Sequence, residues 1–165
     1  MKNIVYLIAV LVGLMIMHAC KKEKGPEAIK LNVPFYANPG KNYILNETVV
    51  DTATGKAIQH TMIVKCTSVA DYRCFISDGF NGCCPNSSGG RADVNLVLSK
   101  DQESPVSSTL FFPGCTHGDE YDTININAPT LLFYQYKVSL LKLDPWNSKP
   151  ENEKDYSAKL IVRKN

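Results

Sequence analysis

Tryptophan occurs once in 165 residues and histidine three times, and no apolar run of membrane-spanning length follows residue 20. Removing the first 20 residues leaves His60 and His117 as the only histidines. Gly-x-Ser-x-Gly is absent as well, so a Ser-His-Asp hydrolase has no support. No charge of one sign dominates: 18 Lys and Arg stand against 16 Asp and Glu, a formal net charge of +2. That balance excludes the strong basic field on which nonspecific nucleic-acid binding depends. Gly89-Gly90-Arg91 lacks the lysine and following Ser or Thr of a phosphate-binding loop.

The apolar residues are unevenly placed, because residues 1–20 hold 16 of the chain's 73. Met1-Lys2-Asn3 is a short basic start, and Ile4 to Met17 is apolar except for Gly13. This is the layout of a secretory signal, and the polar Lys21-Lys22-Glu23-Lys24 stops it short of the roughly 20 residues a spanning helix needs. Met17-His18-Ala19-Cys20 resembles the lipobox of bacterial lipoproteins, with a large apolar residue at minus three and a small one at minus one. The resemblance implies cleavage after Ala19, with Cys20 becoming the first residue of the mature protein and carrying a diacylglyceryl thioether and an acylated amine. Several acyl chains at about 0.8 kcal/mol per buried methylene hold a protein on a bilayer where one myristoyl chain does not. Residues 1–19 are therefore expected to be a signal peptide and 20–29 a lipidated, flexible tether, charged and interrupted by Gly25-Pro26. Lys21 in the second mature position fits, by the same resemblance, an outer-membrane address on its periplasmic or its surface side.

From Lys30 onward apolar residues do not recur at helical spacing, whereas period-two alternation does. The pattern predicts strands at Leu31–Tyr36, Tyr43–Val50, Ile58–Val69, Ala92–Lys100, Thr109–Phe112, Thr123–Asn127, Leu132–Leu143 and Tyr156–Arg163. Turn chemistry separates them at Asn38-Pro39-Gly40, Asp51 to Gly55, Asn86 to Gly90, Ser104-Pro105, Pro113-Gly114 and Asp144 to Pro150. Residues 30–165 thus read as one all-β domain, a single antiparallel β-sandwich of immunoglobulin-like general architecture. Tyr134, Tyr136, Val138 and Leu140 are expected on one face, as are Tyr156, Ala158, Leu160 and Val162. Pro34 cannot donate to a ladder and marks an edge.

Five cysteines follow Cys20: Cys66, Cys74, Cys83, Cys84 and Cys115. Export to an oxidising compartment makes all five disulfide candidates, with two bridges and one thiol left over. Adjacent Cys83 and Cys84 are poor partners, since neighbouring Cα atoms lie about 3.8 Å apart. Cys74 with Cys83 closes a short loop, leaving Cys84 to pair with Cys66 or Cys115. A metal site at Cys115 and His117, joined by Cys74, Cys83, Cys84 or His60, is the alternative, although no standard zinc spacing is present. No cofactor is expected.

Ser68-Val69-Ala70-Asp71-Tyr72-Arg73-Cys74, then Gly90-Arg91-Ala92-Asp93-Val94-Asn95-Leu96, resembles a group of small Bacteroidetes-type lipoproteins without established activity. Their pattern reads D-S-R-C-P, a second cysteine, then W-A-G-x-A-x-V-x-L. Tyr136-x-Val138-x-Leu140, Leu143-Asp144-Pro145 and Tyr156-x-Ala158-x-Leu160-x-Val162 extend the likeness over residues 31–165. Tyr72, Phe75 and the missing tryptophan depart from it. The resemblance implies a β-sandwich and an envelope address, and it transfers no catalytic residue.

The remaining signals have structural readings. Asp119, Glu120 and Asp122 are expected to form a solvated turn, and Asp78 to Gly82 lacks the ligand spacing of a calcium loop. Asp71 and Arg73 share a strand face and pair. Phe111-Phe112 and Phe133-Tyr134 put rings on both faces of their strands, through a binding patch or a second small core. Trp146 beside Pro145 is expected to be a packing plug rather than a carbohydrate platform. The chain is therefore expected to be a non-enzymatic envelope lipoprotein, a binding or structural module held on the bilayer through Cys20 with an unknown protein or glycan ligand. The alternatives are an inhibitor of an envelope enzyme and a metal or thiol-redox protein.

Overall fold

Alternation of apolar and polar side chains in runs of eight to fifteen residues favours paired strands with one face buried, and such strands build the molecule. The computed structural model describes residues 25–73, 91–113, 128–145 and 150–165. Its strands are β1 (Glu27–Ile29), β2 (Phe35–Ala37), β3 (Asn42–Val50), β4 (Ala57–Asp71), β5 (Arg91–Lys100), β6 (Val106–Pro113), β7 (Thr130–Phe133), β8 (Tyr136–Asp144) and β9 (Ser157–Lys164). A 3-10 turn at Glu153–Asp155 leads into β9. The sheets are ordered β1-β3-β4-β5-β6 and β2-β9-β8-β7, and they form the expected all-β sandwich. The expected signal peptide, residues 1–19, and the expected strand Thr123–Asn127 lie outside the described residues.

Inward residues of both sheets make one core, with Tyr43, Met62, Leu96 and Leu110 of the first facing Val138, Leu140, Leu160 and Val162 of the second. The expected face of Tyr156, Ala158, Leu160 and Val162 is buried throughout. A second cluster of Ala128, Leu141 and Ile161 lies on the opposite face of β8 and β9, so a small second core exists and is aliphatic.

Three expectations need correction. Leu31–Tyr36 is not one strand. β1 runs parallel to β3, then Lys30 to Pro34 carries the chain across to β2, which pairs antiparallel with β9. Asn32 takes the left-handed conformation (φ 60°) and its N–H donates to the Val162 carbonyl at 2.9 Å, which fixes the crossover. Pro34 precedes the edge strand β2 rather than lying in it. The domain also begins earlier than Lys30, because Glu27–Ile29 is a strand and Ile29 belongs to the core. Finally, Leu132–Leu143 is a hairpin: Tyr134 turns the chain at φ 52° and is exposed, so it leaves the face shared by Tyr136, Val138 and Leu140.

Two bulges decide which side chains reach the interior. The β4–β5 register shifts between Cys66 and Ser68, so Met62, Val64 and Cys66 face inward before it and Val69 and Asp71 after it. The β8–β9 register shifts between Leu140 and Lys142, which sends Leu140 to the main core and Leu141 to the second.

Candidate functional site

The sandwich has two ends, and each carries ionisable groups between its sheets. At the end where β4 finishes, the bulge turns Asp71 inward. Arg73 follows on the same side, and its Nη2 lies 2.7 Å from Asp71 Oδ2 and its Nε 2.9 Å from Oδ1. Their side chains are 0% and 2% exposed. The Arg73 backbone N–H also donates to Asp71 Oδ1, and Arg73 Nη2 donates to the Pro145 carbonyl at 3.1 Å. From the second sheet's side, the Tyr156 hydroxyl donates to Asp71 Oδ2 at 2.5 Å. Burial opposes ionisation of Asp71, but the bonds from Arg73 and Tyr156 outweigh it and hold the carboxyl below its ordinary value. Burial and then the Asp71 carboxylate push the Tyr156 hydroxyl well above the usual tyrosine range. Glu153 completes this latch by accepting the Val69 N–H at 2.9 Å, where the bulge has interrupted the ladder.

Arg73, Arg91 and Pro113, described residues that border the segments 74–90 and 114–127 in sequence, stand at this same end. The Tyr72 N–H donates to the Arg91 carbonyl, and Arg91 pairs with Pro113, so Tyr72, Arg91 and Pro113 are neighbours. On the outer face nearby, Tyr72 and Phe111 are exposed, and the Arg91 guanidinium sits 4.3 Å from the Phe111 ring centre while its Nε meets Asp93 at 2.8 Å. The expectation of rings on both faces thus holds for β6, with Phe112 buried and Phe111 outside.

At the opposite end the inward stripes change from apolar to ionisable. Glu47 of β3 lies opposite His60 of β4 in register. Glu47 bonds the Tyr136 hydroxyl at 3.0 Å and pairs with Lys164, linking the sheets where β1 and β2 no longer cover the side. Partial burial raises the Glu47 carboxyl, but the Lys164 and Tyr136 bonds more than offset this and lower it overall. Burial and the Glu47 carboxylate push Tyr136 up to about 12. His60 Nδ1 lies 2.9 Å from Asp101 Oδ2, while Asp101 Oδ1 accepts the Thr61 N–H at 2.7 Å. The Thr61 N–H and then the His60 ring hold the Asp101 carboxyl below its usual value. An open hollow of about 680 Å³ lies here, lined by Ile58 to Thr61 and Asp101 to Glu103. The Thr61 hydroxyl donates to Asn46 Oδ1, so it is committed away from the His60–Asp101 pair.

The cysteine set divides. Among the described residues Cys66 is a free thiol, fully buried in the core, because alternation on β4 places it in line with Met62 and Val64, and it is one of the five cysteines among which one unpaired thiol is expected. Burial, and less so Glu153, pushes the thiol up to about 12. Cys20, Cys74, Cys83, Cys84, Cys115 and His117 lie outside the described residues, as do Asp78, Asp119, Glu120, Asp122 and Trp146. His60 and Asp71 stand near opposite ends of β4, eleven residues and about 36 Å apart at ~3.3 Å per residue, so the two ends of the sandwich carry separate sets of groups. Among the described residues no group of three or more His, Cys, Asp or Glu could hold a metal ion. The Asp71–Arg73 pairing was legible from spacing, whereas its links to Tyr156 and Pro145 were not. The ionisable mouth had a faint signal in the alternation itself, since Tyr43 and Leu45 lead to Glu47 on one stripe, and Met62 leads back to His60 on another.

Comparison with known protein families, with curated proteins and with solved structures finds no match to the chain.

Proposed function

We propose that the protein is a cell-envelope lipoprotein, acylated at Cys20 and held on the outer membrane, which works as a binding or structural module. The observation that carries this reading is the buried Asp71–Arg73–Tyr156 latch, at the end where Arg73, Arg91 and Pro113 border the cysteine-bearing segments in sequence. A sandwich end tied across both sheets is a rigid base for loops, and binding functions concentrate on loops held by such scaffolds. With Cys66 withdrawn into the core, Cys74, Cys83, Cys84 and Cys115 form an even set for two bridges, and Cys66 is the thiol left over. The six residues between Cys20 and Glu27 reach at most about 25 Å when extended, which keeps the domain close to an anchoring bilayer.

Exposed Tyr72 and Phe111 beside the latch favour a second reading, an inhibitor that presents this end to an envelope enzyme. The thiol-redox reading loses support because a buried, protonated thiol is a poor nucleophile. Mass spectrometry of the protein taken from its own membranes under alkylating conditions tests the main reading. It should find acyl chains on Cys20, two bridges and one free thiol at Cys66. An unmodified Cys20 would remove the membrane anchor, and a bridge to Cys66 would overturn the assignment of the four outer cysteines. Capture of an envelope protease by the purified protein would favour the inhibitor.

A further inference from the structure

We propose that Lys137 and Arg163 form a binding site for a phosphate-class oxyanion on the outer face of the smaller sheet. Lys137 of β8 and Arg163 of β9 are Cα partners in register, and both project outward, since their neighbours Tyr136, Val138 and Val162 are buried inside the sandwich. Side chains so opposed have Cβ atoms about 4.5–5.5 Å apart, and like charges in that position repel. Among the described residues no carboxylate lies within ion-pair distance of either, whereas Arg73, Arg91, Lys142 and Lys164 have Asp71, Asp93, Asp144 and Glu47. Leu132, the register partner of Lys137 on β7, brings no charge either.

Arg163 itself supplies a second observation. Its Nη2 is buried and has no hydrogen-bond partner among the described residues. A buried donor left without an acceptor costs more than an ordinary hydrogen bond gains, so this nitrogen calls for one. Ile161, two residues earlier on the same face, belongs to the aliphatic cluster with Leu141 and Ala128. The guanidinium therefore stands at the rim of an apolar surface, where an ionic bond is less screened than in open water.

The two side chains set the ligand class. A guanidinium offers parallel N–H donors that match two oxygens of one oxyanion, and an ammonium beside it adds a second charge. Together they balance a phosphate monoester, which carries about −1.5 to −2 at neutral pH, better than a monocarboxylate. Both side chains keep part of their surface exposed, on the opposite face of β8 from the Tyr136 hydroxyl that meets Glu47. The site goes beyond the function proposed above, because it uses neither the latch nor acylation of Cys20.

The test measures the thermal midpoint of the full chain in neutral detergent at about pH 8, where phosphate is mainly the dianion, against sodium chloride of equal ionic strength. Phosphate should raise the midpoint above its chloride value in a saturable way. Lys137→Gln and Arg163→Gln should each weaken phosphate binding about tenfold or more, and Lys56→Gln, at an exposed lysine between β3 and β4, should not. In chloride, Lys137→Gln should raise the midpoint by removing a repulsion, whereas a lysine with a merely structural role would lower it. No phosphate-specific rise, a rise that both variants retain, or a chloride midpoint lowered by Lys137→Gln would overturn the proposal. The chain reconstituted in phosphatidylcholine vesicles, with or without phosphatidic acid, separates the sources. A rise with phosphatidic acid to which added phosphate contributes nothing supports a lipid phosphate, and a rise with phosphate but none with phosphatidic acid supports a soluble phosphate ester.

Discussion

The Tyr156 hydroxyl reaches across the sandwich to Asp71 Oδ2, a contact of 2.5 Å between residues 85 positions apart. Asp71 ends β4 in one sheet and Tyr156 precedes β9 in the other, so a single carboxylate ties the two layers while also holding Arg73. A buried ion pair adds little beyond a well-packed apolar replacement, but removing one partner leaves a charge stranded. Asp71→Asn should thus lower unfolding stability by about 3–5 kcal/mol. The double change Asp71→Leu with Arg73→Met should cost less than Asp71→Asn alone. Tyr156→Phe, which removes one bond to a charged group, should cost about 1.5–3 kcal/mol. Urea unfolding of the four proteins checks the order, and a double change that costs more than Asp71→Asn would refute the coupling.

The same carboxylate predicts an acid limit. The folded value of Asp71 lies below its ordinary 3.8, so its contribution is complete above that value and disappears as pH falls through the depressed folded one. Glu47, lowered from 4.5 by Lys164 and Tyr136, acts in the same direction. The thermal midpoint should be nearly level between about pH 5 and 7 and fall below about pH 4. Asp71→Asn should show a shallower fall, and an equal slope in the variant would assign the acid transition elsewhere.

Cys66 behaves as a core residue. Its thiol is held protonated up to about 12 and is fully buried, so a maleimide reagent near pH 8 should leave it unlabelled in the native protein and label it in urea. Because its folded value is raised above the ordinary 9.0, the associated stability is present below that pH and declines as pH rises toward 12. Cys66→Ser buries a hydroxyl among apolar neighbours and should destabilise by about 1–3 kcal/mol. Rapid native labelling of Cys66 would place the thiol outside the core.

Asp101 organises the mouth through two bonds, one from the Thr61 N–H and one with His60. Asp101→Ala should speed amide hydrogen exchange at Thr61 several-fold, leaving central β4 amides such as Val64 unchanged. Equal exchange in both proteins would mean that the Thr61 N–H has another acceptor.

Alternation along the chain was enough to establish strands, a sandwich and most of the core, because period two is a local property of a half-buried strand. The faces of Tyr136 to Leu140 and of Tyr156 to Val162, and the pairing of Asp71 with Arg73, follow from it directly. Local patterns do not contain the two bulges, since one extra residue in a strand is defined only by its partner. The bulge beside Cys66 is what turns Asp71 toward Tyr156, and the crossover at Asn32 is what divides the first strand between two sheets. Cys66 shows the same division between sequence and fold. Composition and the expected export made it one of five disulfide candidates, and the packing of the two sheets is what buries its thiol in the core. The sequence determined which residues prefer strands and which faces they bury, whereas tertiary pairing decided which charges meet, because those contacts join positions far apart in the chain.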